Sequence, residues 1–319
     1  MASTDETRPL DNKLVTLIGG GGFIGRYVAQ ALFKAGARVR VAQRDPRQAF
    51  FLRPLGGLGQ SQFVAADVAR PETIVRAVAD ADMAVNLVGA FGGNLTRTHV
   101  EGARAVGEAA VAAGLGALVH VSAIGADPEA SSVYARTKGQ GEQAIRSAFA
   151  GTTILRPSTV FGREDQFVNR FAGMISKLPV VPVLKGDARF QPVFVGDVAK
   201  AVAAALSDAE TFAGRTFELG GPEVMTMEEL HREIADMIGR HPPLLLVPDA
   251  IGSVIAKAPG TPISTDQWKL LERGSVVSGG AEGLEALGVA RTPLGAVAPG
   301  WLVRFRKAGR FARIADARG

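Results

Sequence analysis

The sequence predicts an α/β protein, with a doubly wound parallel sheet followed by a smaller mixed α/β C-terminal domain. Three observations predict it. Short apolar, β-branched runs alternate with helix-length segments through the first half of the chain. A run of glycines, from Gly19 to Gly25, separates the first such strand from the first helix. After about residue 157 the alternation gives way to proline-punctuated chain with fewer clear strands.

Taken in order, Leu14-Val-Thr-Leu-Ile18 reads as a buried first strand, and Tyr27 to Leu32 as the opening of a helix. Val39–Ala42 is the second strand and Gln62–Ala65 the third, ending near Asp67. Ala84–Val88, Ala117–Val121 and Thr153–Leu155 are the fourth, fifth and sixth. Helices are predicted over Pro71–Ala79, His99–Ala113 and Tyr134–Ala148. Beyond them, Asp165–Lys177 reads as helix, Pro179–Pro192 as loop, Gly196–Leu206 as helix and Thr216–Leu219 as strand. Thr226-Met-Glu-Glu229 is a capping box that opens a helix to about Ile238. Pro242–Pro262 is poorly patterned, and Thr265–Glu272 is a short helix.

Composition sets limits on function. The chain has 319 residues, 47% of them hydrophobic, enough for about two domains with a sizeable core. It has no cysteine, which excludes disulfides, Fe–S ligation and thiol nucleophiles and fits a reducing compartment. The four histidines, at 99, 120, 231 and 241, show no metal-ligand spacing, so no metal site is expected. The net charge is +5. Much of that excess is local: Arg304, Arg306, Lys307, Arg310, Arg313 and Arg318 face a single acid, Asp316. The N-terminal residues are polar and carry Asp5, Glu6 and Asp11, unlike a signal or transit peptide. The uncharged run Ala109–Ala126 is broken by Gly114, Gly116 and Gly125, so no membrane-spanning helix is expected.

Strand, glycine turn and helix together form the context that a dinucleotide fingerprint needs. Glycines allow the sharp turn, and the pyrophosphate charge rests on exposed N–H groups at the helix N-terminus. Gly20, Gly22 and Gly25 satisfy one spacing, G-x-G-x-x-G; Gly19, Gly22 and Gly25 satisfy another, G-x-x-G-x-x-G. Phe23, Ile24 and Arg26 complete the loop. An NAD site usually has an acid at the end of the second strand, roughly 20 residues past the glycines. Here that strand ends Ala42-Gln43-Arg44, with Asp45 one position beyond. Arg44 and Arg26 suit a ribose 2′-phosphate, which favours NADP(H) over NAD(H). Asp67 and Val68 after the third strand, and Val88 and Gly89 after the fourth, are further candidates to contact the cofactor.

Tyr134-Ala-Arg-Thr-Lys138 places a phenol and an ammonium on one helical face. The ammonium can lower the phenol pKa for proton exchange with a carbonyl or alcohol, and can also bond a nicotinamide ribose. The glycine loop, Tyr134, Lys138 and Arg156-Pro-Ser-Thr-Val-Phe-Gly162 together resemble the extended and atypical short-chain dehydrogenase/reductase superfamily. The resemblance spans nearly the whole chain and selects the spacing Gly19, Gly22, Gly25. It implies a Rossmann fold and adds Pro157, Ser158 and Val160 to the nicotinamide pocket, with Ser122 at the end of the fifth strand.

Five further segments are more specific. They are His120-Val-Ser-Ala-Ile-Gly-Ala-Asp127, Tyr134 to Glu142, Phe161 to Phe171, Gln191 to Ala199 and Glu218-Leu-Gly-Gly-Pro222. These resemble the short-chain-dehydrogenase-like (alpha subcomplex) accessory subunits of respiratory complex I and their bacterial relatives. That resemblance implies tight NADPH binding without a demonstrated turnover role, in a subunit that stabilises the peripheral arm of NADH:ubiquinone oxidoreductase near the membrane. It implies other complex I subunits as partners. One departure separates the chain from active members, which carry Ser or Thr two positions beyond Ser122. Ile124 stands there and cannot polarise a carbonyl, so Tyr134 and Lys138 are expected to be vestigial. Ser131 or Ser132 is a possible substitute. The alternative is an NADP-dependent reductase or epimerase acting on a small carbonyl or sugar-nucleotide.

The expected organisation is a flexible N-terminus (1–12), an NADP(H)-binding Rossmann domain (13–160), a smaller C-terminal domain with segments returning to the sheet (161–300), and a basic aromatic tail (301–319). In the tail, Trp301 and Phe305 alternate with cations, a pattern that suits an anionic membrane face; no nucleic-acid module is visible. The expected location is the bacterial cytoplasm, peripheral to the inner membrane.

Overall fold

The computed structural model describes residues 8–258 and 263–307. In chain order the first elements are β1 (Leu14–Ile18), α1 (Phe23–Lys34), β2 (Arg38–Gln43), β3 (Ser61–Ala65), α2 (Pro71–Val78) and β4 (Met83–Asn86). Then come α3 (Gly102–Ala112), β5 (Ala117–Val121), α4 (Val133–Ala148), β6 (Thr153–Pro157) and β7 (Val160–Phe161). The middle of the chain forms α5 (Val168–Lys177), β8 (Val181–Leu184), β9 (Arg189–Phe190), β10 (Val193–Phe194), α6 (Val195–Ser207), α7 (Ala209–Phe212) and β11 (Thr216–Leu219). The last elements used below are β12 (Met225–Thr226), α8 (Met227–Ile238), β13 (Leu244–Val247), α9 (Asp249–Lys257) and α10 (Thr265–Arg273).

Two compact units result. One comprises the chain up to Arg156 with 196–218 and 282–289; the other comprises 157–195, 219–281 and the chain from 290 on. The first holds a seven-stranded sheet in the order β11-β6-β5-β4-β1-β2-β3. Its pairs are parallel, with Ile18 opposite Ala42 on one side and Asn86 on the other. The order turns back at β1 and β4, so the strand ends of β1, β2, β4 and β5 open on one crevice, where doubly wound sheets bind ligands. β1 and β5 are buried along their whole length, which is why they read as unbroken apolar runs. One apolar core lies between the sheet and the layer of α2, α3 and α4, built on Ile74, Val106, Leu118 and Ile145. Gly107 lets α4 approach α3 closely, since a Cβ there would overlap Ala148.

The second unit is built on α5 and α8, which share an apolar core of Phe161, Val168, Val181, Leu230 and Ile234. Three two-stranded sheets complete it: β10-β7, β12-β9 and β13-β8. The capping box at Thr226 is present, with Glu229 returning to the Thr226 backbone at 2.7 Å.

Several predicted bounds need correction. β4 ends at Asn86, because Asn86 Oδ1 accepts from the Val88 amide and turns the chain, so Leu87 and Val88 lie outside the strand. α5 begins at Val168 because the Asp165 carboxylate collects the Gly162 and Phe167 amides as a turn. Residues 179–192 are not all loop: β8 and β9 lie there and pair with β13 and β12. Residues 242–262 likewise hold β13 and α9. Both strands gain their hydrogen bonds from distant chain, which local patterning does not report. Of the basic tail, Trp301 and Phe305 are half-buried against the core of the second unit, and residues 308–319 lie outside the described residues, as do residues 1–7 of the N-terminal segment. No helix among the described residues is long and apolar enough to cross a membrane.

Candidate functional site

The first unit presents a cradle at the end of β1. Gly19 has φ +82°, a conformation that favours glycine, and its amide donates to Ala42 O at 2.8 Å. A Cβ on Gly19 would also press on Val88 Cγ2 at 3.2 Å, so the turn sits directly against the chain after β4. Gly22 is the N-cap of α1 and has no side-chain cap. Its missing Cβ would meet only Gly19 O, at 3.4 Å, leaving room above the helix end. Gly25, one turn on, touches the loop backbone: a Cβ there would lie inside the contact distance of Gly20 O. These are the three roles of a dinucleotide loop: sharp turn, close approach, and helix packing. The first-turn amides of Phe23, Ile24 and Gly25 have no intrahelical acceptor, as at any helix start, and point out of the helix end.

The chain after β2 carries the cations. Arg44 is exposed. Arg26 lies over the Phe51 ring at 4.2 Å, and Arg53 lies over Phe50 at 3.8 Å. Asp45, the acid nearest the usual ribose position, is already engaged: its Oδ1 accepts from the Arg47 amide and from Arg47 Nε, both at 3.1 Å. Those bonds hold its carboxyl below the usual range. Asp67 is engaged too, with Oδ1 accepting from the Ala69 amide at 3.0 Å. Val68 packs beneath Gly102, where a Cβ would crowd its side chain. Gly89 faces open space.

β5 and α4 supply the titratable groups. Ser122 directly follows β5, its amide bound to Leu155 O at 2.7 Å, and its buried Oγ has no partner. Lys138 is buried and donates from Nζ to Val121 O at 3.0 Å. Desolvation pulls its ammonium down to about 8, against a smaller opposing effect of Glu142. Tyr134 is half-buried, with Phe91 stacked on its ring at 4.5 Å and His99 at its edge at 5.5 Å. Burial pushes its phenol up to about 12. The phenol therefore stays protonated at neutral pH: a donor, not a poised base. Ile124 is half-buried and precedes Gly125, whose φ is +81°. Ser132 is the N-cap of α4, its Oγ accepting from the Ala135 amide at 3.3 Å, so it is committed to the helix; Ser131 is exposed.

Pro157, Ser158 and Val160 fall in the second unit. Val160 is in β7, and the buried Ser158 hydroxyl bonds Ser275 O at 2.7 Å. The family-like segments turn out to carry polar scaffolding. Arg156 binds Glu142 and lies 3.6 Å from Glu218. Gln191 donates to Gly221 O at 2.8 Å and accepts from the Val277 amide at 3.0 Å. Sequence reasoning missed His99, Asn86 and Phe91, which flank Tyr134 or fix the chain after β4, because their partners are tertiary. No cluster of metal-ligating side chains occurs among the described residues.

The residues present fit a dinucleotide. The cradle is one that side chains would fill, Ser122 Oγ is a buried hydroxyl without a partner, and Gly89 borders open space.

Comparison with known proteins agrees with that fit. The model of the NAD dependent epimerase/dehydratase family matches residues 15–220. The Mus musculus mitochondrial NADH dehydrogenase (ubiquinone) 1 alpha subcomplex subunit 9 is 34% identical over 292 residues, 88% of this chain and 77% of that one. A ceramide reductase of Caulobacter vibrioides is 30% identical over 292 residues, 88% of this chain and 86% of its own. The fold is similar to that of an Escherichia coli NADPH-dependent quinone oxidoreductase complexed with NADPH, with TM-score 0.72, 20% identity and cover of 88% and 97%.

Proposed function

The chain belongs to the NAD dependent epimerase/dehydratase family, of the extended short-chain dehydrogenase type, and from that premise we propose that it is an NADP(H)-binding accessory subunit of NADH:ubiquinone oxidoreductase that does not turn its cofactor over. The glycine cradle would hold the pyrophosphate, with Gly22, Phe23, Ile24 and Gly25 contributing backbone. Arg26 and Arg44 would bind the 2′-phosphate as charge-assisted donors, while Asp45 is engaged by Arg47 and is a poor partner for free ribose hydroxyls. Lys138 and Ser122 would hold the nicotinamide half. When bound, the cofactor supplies hydride chemistry. The chain's own residues supply binding and one proton donor.

The observation that carries the non-catalytic reading is Ile124. Isoleucine stands where a hydroxyl is needed to polarise a carbonyl, and Ser132, one of the two serines that could substitute, caps α4. The partners are proposed from the similarity to the complex I alpha subcomplex subunits, along most of both chains in the mouse protein. A peripheral position at the inner membrane of a bacterium is part of the same proposal and rests on the basic charge pattern of the sequence from 301 on. Native gels of gently extracted membranes test this reading: the protein is expected to co-migrate with the respiratory complex. Mass spectrometry of the purified protein is expected to find NADPH that survives dilution. A wholly unassociated protein with fast-exchanging NAD(H) overturns it.

A second reading is favoured by the ceramide reductase similarity and by the intact pair Tyr134 and Lys138. In it the chain reduces a carbonyl substrate with NADPH, Tyr134 donating the proton. Loss of NADPH absorbance with a carbonyl panel that includes lipid and sugar-nucleotide substrates, abolished by Tyr134→Phe, would select it.

A further inference from the structure

His99 lies in a single π-helical turn, Thr96–Glu101, that runs into α3. Such turns recur at functional sites because they displace one residue from the regular ladder. The displaced residue here is enclosed by α4. A Cβ on Gly141 would overlap His99 O, so glycine at 141 is what lets the two helices approach. The imidazole is buried, and both nitrogens are bonded. Nε2 accepts from the Ala90 amide at 3.1 Å, so the ring hydrogen is on Nδ1, which donates to Thr137 Oγ1 at 2.9 Å. The Thr137 hydroxyl hydrogen goes on to Val133 O at 2.8 Å. The ring edge also meets Tyr134, and Phe91, next to Ala90, stacks on the same tyrosine. One imidazole thus ties the chain after β4 to the first turns of α4.

We propose that His99 is a positioning residue for the nicotinamide half of the cofactor. It holds the segment Val88–Phe91 in register with Tyr134 and Lys138, so that the Gly89 backbone and the Lys138 ammonium bind that half together. The proposal rests on the cofactor reading above and assigns a part that none of the relatives' names describes. It predicts a selective defect. NADPH reaches both halves of the site, whereas adenosine 2′,5′-bisphosphate reaches only the adenosine half.

The test is calorimetric titration of the full chain with both probes. His99→Asn keeps a donor near Nδ1 but is too short to accept from Ala90. It is expected to weaken NADPH roughly five- to twentyfold, the effect of one lost buried hydrogen bond and its orphaned amide. Adenosine 2′,5′-bisphosphate is expected to bind within about twofold of wild type. His99→Gln, long enough to place Oε1 near the Nε2 position, is expected to restore most of the NADPH affinity. Thr137→Val keeps the imidazole but removes its anchor on α4, and is expected to move NADPH the same way by about two- to fivefold; it carries the test if the His99 variants fail to fold. NADPH binding unchanged in His99→Asn or Thr137→Val overturns the proposal, as does equal loss of both probes or equal defects in the Asn and Gln variants. A wild-type chain that binds neither probe overturns the cofactor reading itself, a distinct result.

Discussion

Arg156 closes a two-point fork on Glu142, with Nε 2.9 Å from Oε1 and Nη2 2.6 Å from Oε2. The fork joins β6 to α4, the helix that carries Tyr134 and Lys138. Glu218 on β11 stands on the other side of the guanidinium at 3.6 Å. One cation therefore holds two strands and a helix at the sheet edge. The Glu142 side chain is only 7% exposed, so its charge depends on that partner. Glu142→Gln is expected to destabilise the protein by about 3 kcal/mol, the lower range for a broken buried pair. Arg156→Lys keeps the charge but loses the fork and is expected to cost about 1–2 kcal/mol. Urea unfolding at constant pH measures both, and a Glu142→Gln loss below about 0.5 kcal/mol would show that water already screens the pair.

This fork also marks where the sequence stops being legible. β1, β5, β11 and the Thr226 capping box are read correctly because their signals are local: apolar runs, and a cap three residues from its partner. The Gly19–Gly25 cradle is local for the same reason. The partners of Arg156 lie 14 residues away on a helix and on a distant strand, and no spacing rule pairs them. β8 and β13 are each short and depend on each other for hydrogen bonds, so prolines and exposed leucines hide them. His99 sits in a π turn whose purpose appears only once Ala90 and Thr137 are beside it.

Gly22 and Gly25 separate binding from folding. Gly25→Ala forces a methyl group into the Gly20 backbone and is expected to cost about 1–3 kcal/mol of stability. Gly22→Ala adds a methyl that meets only Gly19 O at 3.4 Å, at a φ of −75° that alanine adopts freely. Its melting temperature is expected to stay within about 2 °C of wild type, since no named destabilising mechanism operates there. Its NADPH affinity is expected to fall at least about tenfold, because the methyl occupies the path of the pyrophosphate. Calorimetric melting and nucleotide titration together distinguish the two variants; equal NADPH affinity in Gly22→Ala and wild type contradicts this use of the cradle.

Acid should expose the buried histidines. Burial, with the Lys138 charge as a lesser cause, brings His99 down to about 4, and holds His120 well below its ordinary value. Below pH 6.5 the unfolded chain therefore binds protons that the folded chain refuses. Stability falls as the pH drops from about 6.5 towards 4, by roughly 3 kcal/mol for His99 alone at about 1.4 kcal/mol per pH unit. His99→Gln is expected to flatten this part of the profile. Denaturant midpoints at a series of pH values measure it, and parallel profiles for variant and wild type would contradict it.

Alkali should act in the opposite sense through Lys138. Its ammonium is down at about 8 because it is buried. The same group in the unfolded chain titrates at the ordinary 10.5. Between those two values the unfolded chain holds the extra proton. Stability therefore rises with pH through that window, by up to roughly 3 kcal/mol, as the unfavourable buried charge is neutralised. Tyr134 limits the gain. Its phenol is up at about 12, so above pH 10 the unfolded chain loses a proton that the folded chain keeps, and stability falls again. The two effects place an alkaline shoulder near pH 10. Lys138→Met is expected to remove the rise and Tyr134→Phe to remove the fall, each measured by urea unfolding from pH 7 to 11. A rise that persists in Lys138→Met would assign the buried charge to another group.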